Sequence, residues 1–230
     1  GIVSMAVPEN LGGAAAARSP VSNVLIAEDL ARGDMGIATA YLATVGAANV
    51  LVDYGSAAQQ AQYLPLLLRE TFTPAAVCIT EPKPLFDPLH MACTAQKTGH
   101  KTGKGYTLNG VKSLVPLAES CAFFIVAAAL EGEAQLFIVD KNAAGVRVKA
   151  EGNMGLRAAA LGTLSLNNVQ VSADALIHAD YQQVVNLARI GWAALAVGQC
   201  QRVFEYVTEY VNGREAFGEP ISHRQAVAFM

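Results

Sequence analysis

A chain of 230 residues, 53% hydrophobic and 15% charged, is long enough to bury a sizeable core and too apolar to be disordered. Its formal net charge of -3 leaves no basic footprint for nucleic acid and no polybasic stretch for a membrane surface, although a few local arginines suffice for a polyanionic cofactor. The cysteines at 78, 93, 121 and 200 form no CxxC pair and no metal-ligand spacing with the histidines, so free thiols in a reducing compartment, the cytoplasm, are expected, and no metal.

Helical signals come first. Ser19-Pro20 reads as an N-cap followed by proline at the first helical position, opening VSNVLIAEDLARGD. Met35 to Val52 carries no charge and is long enough to span a bilayer. Gly36, Gly46 and Asn49 interrupt it, however, and Asp34 and Asp53 flank it without basic bias, so a buried helix over 35–54 is expected rather than a membrane span. After Gly55, Ser56 caps AAQQAQYLPLLLRE, which Pro65 is expected to break or restart.

From residue 73 the pattern changes to short strands: VCIT, TAQKTG, YTLNG, CAFFIVAAAL, AQLFIVD, VRVKA and TLSLNNVQV. Asn109-Gly110, Glu131-Gly132, Ala144-Gly145 and Asn167-Asn168 are expected to mark the breaks. Seven strands with no helical pattern between them predict an antiparallel barrel or sandwich.

The helical period returns from Tyr181 to Asn212, with Gly213 in the place of a C-cap glycine. A helix of that length spans roughly 48 Å, which suits a bundle. The chain begins Gly1-Ile2-Val3 and stops at SHRQAVAFM, where Ser222 reads as the N-cap of a helix barely begun, so a segment cut at both ends is expected. The reading is an α+β protein: a helical N-terminal domain at 1–72, a β-rich middle domain at 73–178 and a partial C-terminal helical domain at 179–230.

One stretch raises the question of function. CITEPKPLFDP, Cys78 to Pro88, approaches as a strand and turns at Thr80-Glu81-Pro82, as a ligand loop would. Its second half holds Lys83, Pro84, Leu85 and Phe86 where small residues would be expected to let a backbone approach a cofactor.

AVPENLGG (6–13), AEDLARGDMGIAT (27–39), CITEP (78–82), YTLNGVK (106–112), FIVDKNAAGVRV (137–148), NMGLRAAA (153–160), ARIGWAALAVGQ (188–199) and GREAFGEPISHRQAVAFM (213–230) follow one another in order. Together they resemble the acyl-CoA dehydrogenase family over essentially the whole chain. The resemblance implies helical N-terminal, middle β-barrel and C-terminal four-helix-bundle domains, assembled as dimers or tetramers. It implies FAD held between the barrel and the bundle of one subunit and the bundle of a neighbour. The implied reaction is α,β-dehydrogenation of an acyl-CoA, with an electron-transfer flavoprotein or a similar acceptor receiving the electrons.

Carried residue by residue, the resemblance places Thr80 at the position whose hydroxyl and backbone address the flavin ring, with Ile79 beside it. Arg214, Phe217 and Gln225 match the family's RxxFG…HxQA spacing, whose members reach the FAD of a neighbouring subunit, the arginine fork suiting its diphosphate. Arg189 matches an arginine near the acyl-CoA, with Asn186 where the family carries an acid. Three positions depart. Phe86 stands in place of a serine, Leu114 in place of a stacking tryptophan, and Pro116 in place of a threonine that meets the flavin. The resemblance places the catalytic glutamate of most members far past Arg189, beyond Met230, and Ala188 occupies the position where some branches carry it.

Two readings follow. One is an FAD-dependent acyl-CoA dehydrogenase with altered ring loops. The other is a catalytically impaired subunit that donates Arg214, Phe217 and Gln225 to the FAD of a partner chain. A third, a CoA-binding or structural module without redox chemistry, is the remaining alternative.

Overall fold

The computed structural model describes residues 2–14, 17–100 and 103–229, so Gly1 and Met230, the ends on which the expectation of a cut segment rests, lie outside the described residues. Three helices open the chain: α1 (Pro20–Gly33), α2 (Met35–Tyr54) and α3 (Ala57–Leu67). Each begins on a side chain that accepts an otherwise orphaned backbone N–H. Ser19 accepts from Ser22 at 3.3 Å, Asp34 from Ile37 at 2.9 Å, and Ser56 from Gln59 at 3.2 Å. Gln59 returns the favour to the Ser56 N–H at 2.8 Å, completing a capping box. Pro65 does not break α3. The helix runs through it and ends at Leu67, within one turn.

Strands β1 (Ala75–Cys78), β2 (Thr94–His100), β3 (Gly103–Val115), β4 (Phe123–Leu130), β5 (Glu133–Asp140), β6 (Val146–Ala150), β7 (Gly162–Ser172) and β8 (Leu176–Ile177) make one sheet in the order β6-β7-β3-β2-β4-β5-β8, with β1 paired to β4. The pairings are antiparallel except those of β4 with β1 and with β2, which are parallel. Strand β4 is buried on both faces, which is why its sequence reads as an unbroken apolar run. Phe123, Ile125 and Ala127 face α2, α3 and the start of the last long helix; Phe124, Val126 and Ala128 face Leu108, Leu164, Leu166 and Val169.

Two expected breaks, Asn109-Gly110 and Asn167-Asn168, meet instead in one bulge inside the sheet. Strand β3 runs straight through Asn109-Gly110, where Gly110 takes φ 147 and the register against β7 slips. A side chain at Gly110 would lie 2.7 Å from the Cys93 backbone, so only glycine fits. Across the bulge Asn168, at φ 52, donates its N–H to Asn109 Oδ1 at 2.8 Å. Glu131-Gly132 is the two-residue hairpin turn expected, both residues at positive φ.

Helix α4 (Tyr181–Gly213) is 33 residues and about 50 Å long. A hairpin of β9 (Glu215–Ala216) and β10 (Glu219–Pro220) follows, then the short α5 (Gln225–Ala228). Gly213 is the last helical residue rather than a left-handed cap, and Ser222 sits inside a 3-10 turn instead of capping α5. Helices α1, α2 and α4 meet through Leu195 and the small side chains of Ala27, Ala31, Ala38 and Ala194, which let the backbones approach. Helix α2 is the one helix among the described residues long and apolar enough to cross a membrane, and 56% of that stretch is buried inside the fold.

Candidate functional site

The core of the site is a buried ion pair behind two loops. Lys112, fully buried on β3, places Nζ 2.9 Å from Glu81 Oε1 and 3.0 Å from the Ile79 carbonyl. The Glu81 carboxylate also accepts the N–H groups of Ala92 at 2.7 Å and Cys93 at 2.9 Å. Burial works to raise this carboxyl, and the Ala92 N–H, the Lys112 ammonium and the Cys93 N–H outweigh it, holding the acid below its ordinary value. A carboxylate so enclosed is a structural anchor, not a base. It fixes the end of β1 against β3, and the Ser113 N–H donates to the Thr80 carbonyl at 2.9 Å to complete the clamp.

In front of the clamp lies a cavity of about 1190 Å³. Ile79, Thr80, Phe86 and Ser113 to Pro116 form one side; Thr39, Leu42, Gly46 and Asn49 of α2 and Ala188 and Arg189 of α4 form others. The structure therefore brings together Ile79, Thr80 and Arg189 with the departures Phe86, Leu114 and Pro116. Next to them Asp87 accepts the Leu89 N–H at 2.9 Å and faces His90 Nδ1 at 2.7 Å. Those two contacts, together with the positive charge of Arg189, hold the Asp87 carboxyl below its ordinary range. Tyr181 anchors the same loop by donating to the Pro88 carbonyl at 2.8 Å. Asn186, in place of an acid, has its side-chain oxygen engaged by Gln182 at 3.0 Å.

Room and donors decide whether a flavin suits this wall. The volume is ample for a cofactor site, and Thr80 is exposed at the cavity wall. The second loop differs. Ser113 gives its N–H to Thr80, Leu114 gives its own to Glu151 at 3.2 Å, and Pro116 has none. Leu114 sits at φ 54 with its side chain half exposed, an aliphatic group where a ring could have stacked. The residues fit a flavin on the β1 side, and on the β3 side these three offer neither a free N–H nor an aromatic face.

Arg214, Phe217 and Gln225 lie elsewhere. They cluster on the hairpin and α5, 25 residues beyond Arg189 and about 37 Å from it along α4. All three are exposed; Phe217, at φ 59, carries the Arg224 guanidinium 5.4 Å from its ring centroid. None of them lines the cavity of this chain. The arrangement that sequence reasoning missed is Arg18 with Asn49 and Asp53, at the same cavity; its one trace was the pair of polar residues four apart on an otherwise apolar helix.

Three family models match in order: the acyl-CoA dehydrogenase N-terminal domain over residues 1–71, the middle domain over 76–169 and the C-terminal domain over 179–230. The chain belongs to the acyl-CoA dehydrogenase family. It is 30% identical to the mitochondrial short/branched chain specific acyl-CoA dehydrogenase of Bos taurus across 96% of this chain and 52% of that protein. A Bacillus anthracis acyl-CoA dehydrogenase solved in complex with FAD superposes with a TM-score of 0.84 at 32% identity, covering 99% of this chain and 40% of that one. Butyryl-CoA dehydrogenase from Megasphaera elsdenii gives 0.85 at 27% identity, covering 100% and 62%. The chain spans between 52% and 62% of the length of the first curated relatives it matches.

Proposed function

We propose that this chain contributes to an FAD-dependent oxidoreductase of the acyl-CoA dehydrogenase type, acting on the α,β-bond of an acyl-CoA thioester. The observation that carries the reading is the single cavity that Thr80, the β3 loop and Arg189 share. In this reading Ile79 and Thr80 hold the flavin ring from the β1 side, and Arg189 orients the CoA thioester. Arg214, Phe217 and Gln225 serve the cofactor of a neighbouring copy, in keeping with their distance from this chain's own cavity. When bound, the flavin supplies the acceptor for the hydride. The chain's own residues position the thioester and exclude water, Phe86, Leu114 and Pro116 walling the site with apolar surface. Assembly with further helices, as dimers or tetramers of family subunits, is supported by α4, which presents Val203, Phe204, Val207 and Tyr210 to solvent. An electron-transfer flavoprotein or similar acceptor then takes the electrons. The three buried thiols suit a reducing compartment such as the cytoplasm.

A specific observation favours a second reading, the impaired subunit that donates its FAD contacts in trans. Leu114 and Pro116 leave the β3 side of the cavity without a free N–H or an aromatic face at those positions, while Arg214, Phe217 and Gln225 stand exposed outside it.

One experiment separates the two. The protein is purified without added FAD, its visible spectrum is recorded, FAD is added and removed by gel filtration, and acyl-CoA is then titrated anaerobically. A flavin band that bleaches with acyl-CoA is expected for the dehydrogenase. A protein that stays colourless overturns it in favour of the donor subunit. For the dehydrogenase, Leu114→Trp with Pro116→Thr raises flavin occupancy, and unchanged occupancy removes a weakened ring loop as the explanation.

A further inference from the structure

The cavity has two chemically different ends. Near the N-terminus of α2, a Cβ added at Gly36 would lie only 3.1 Å from the Ala158 side chain in the 3-10 turn Arg157–Ala159, and that turn accepts the Leu117 N–H through the Ala159 carbonyl at 2.8 Å. The Thr39 end of α2 therefore abuts the β3 loop. Asp53 lies fourteen residues further along the same helix, about 21 Å away along its axis. Between them the lining residues Leu42, Ala43, Gly46 and Val50 are apolar.

At the far end the lining becomes polar. Arg18, just ahead of α1, donates Nη2 to Asn49 Oδ1 at 2.7 Å and to Asp53 Oδ2 at 3.2 Å, and Nη1 to Asp53 Oδ1. Asn23 lines the cavity beside them. These bonds use three of the guanidinium's five N–H groups. Its Nε is buried and has no partner among the described residues, a donor desolvated without return. An alkyl chain laid against this end would desolvate the ion pair and the amides further and satisfy nothing. Charge narrows the choice. Asp53 neutralises Arg18, so the cluster offers donors without a net positive charge, and a carboxylate brought there would meet the Asp53 carboxylate.

We infer that the Arg18–Asn49–Asp53 end of the cavity recognises a neutral oxygen, a hydroxyl or keto group, on the distal part of the acyl substrate. This rests on the acyl-CoA reading above and names the class of acyl group.

The test is isothermal titration of the full chain with three CoA thioethers, which lack the thioester carbonyl and are not dehydrogenated: S-dodecyl-CoA, its ω-hydroxy analogue and its ω-carboxy analogue. The ω-hydroxy compound binds about five- to tenfold tighter than the alkyl compound, the worth of one net hydrogen bond. The ω-carboxy compound binds no better than the alkyl one. Arg18→Met brings hydroxy and alkyl within about twofold of each other, the loss expected when that bond is removed. Asp53→Asn keeps the guanidinium and removes the opposing charge, so it selectively tightens the ω-carboxy compound, and thermal melts confirm that both variants are folded. Equal binding of the alkyl and hydroxy compounds to the unaltered chain overturns the inference and leaves the acyl-CoA reading standing. Binding of none of the three overturns both.

Discussion

Glu81 illustrates how one residue settles the local architecture. Its carboxylate takes two backbone N–H groups and the Lys112 ammonium with almost no exposure, so its worth lies in what would happen if a partner left. Lys112→Met strands a buried carboxylate and is expected to cost about 3–5 kcal/mol in urea unfolding. Glu81→Gln keeps the shape but leaves the buried Lys112 ammonium without a counter-charge, and is likewise expected to cost about 3–5 kcal/mol. Because the folded carboxyl titrates below its ordinary value of 4.5, its ionised form stabilises the fold fully above that pH. The gap between the unaltered chain and Glu81→Gln should therefore close as pH falls from 4.5 through the folded value. A gap that widened in acid would show that the ion pair is not what holds the loop. The Thr80-Glu81-Pro82 turn was legible as a ligand loop from its residue types. The partner of Glu81, 31 residues away, was not, because only the packing of the loop after β1 against β3 brings Lys112 under it.

At the scale of elements, helix contact is decided by single atoms. A Cβ on Gly198 of α4 would lie 2.0 Å from the Glu28 carbonyl oxygen of α1, backbone against backbone, with no flexible side chain to yield. Gly198→Ala is expected to push the two helices apart and lower stability by about 1–3 kcal/mol, even though alanine is the better helix former. Gly213, with open space around it at the end of the same helix, gives the opposite sign. Gly213→Ala should be neutral or stabilising by up to about 1 kcal/mol. Thermal melts of the two variants side by side check the pair; a stabilised Gly198→Ala would mean that α1 does not seat on α4 as described. The strands carry a parallel lesson. Asn109-Gly110 has the composition of a hairpin turn, yet it lies inside β3, because β7 takes up the irregularity with one extra residue at Asn167-Asn168 and the ladder continues on either side. Local turn chemistry loses there to long-range pairing.

For the molecule as a whole, the sheet core and the long helix expose thiols to different surroundings. Burial pushes the Cys93 thiol up to about 11 and the Cys121 thiol up to about 12, and burial with the neighbouring Cys121 raises Cys78 well above its ordinary value. Cys200 is exposed on α4. A thiol-reactive disulfide reagent at neutral pH is expected to modify one cysteine of the native chain rapidly and all four after denaturation, since the thiolate is the reactive form. Two or more fast thiols in the native chain would show that the sheet core opens on the timescale of the reaction. The same division governs function. One cavity is lined by α1, α2, the β1 and β3 loops and α4, while the RxxFG…HxQA residues stand beyond the C-terminal end of α4, outside its lining.

The order of helical and alternating segments, the caps at Ser19 and Ser56 and the family itself were determined by the sequence alone, because caps, periodicity and motif words act over a few residues. So were the departures at Phe86, Leu114 and Pro116, which needed only the motif for comparison. What only the tertiary structure decided is which distant groups share a space. It put Lys112 beneath Glu81 and Arg189 across from Thr80. It also set Arg18 against Asn49 and Asp53, 31 and 35 residues on. Contacts at such separations depend on how helices and sheet pack, and no local periodicity encodes them.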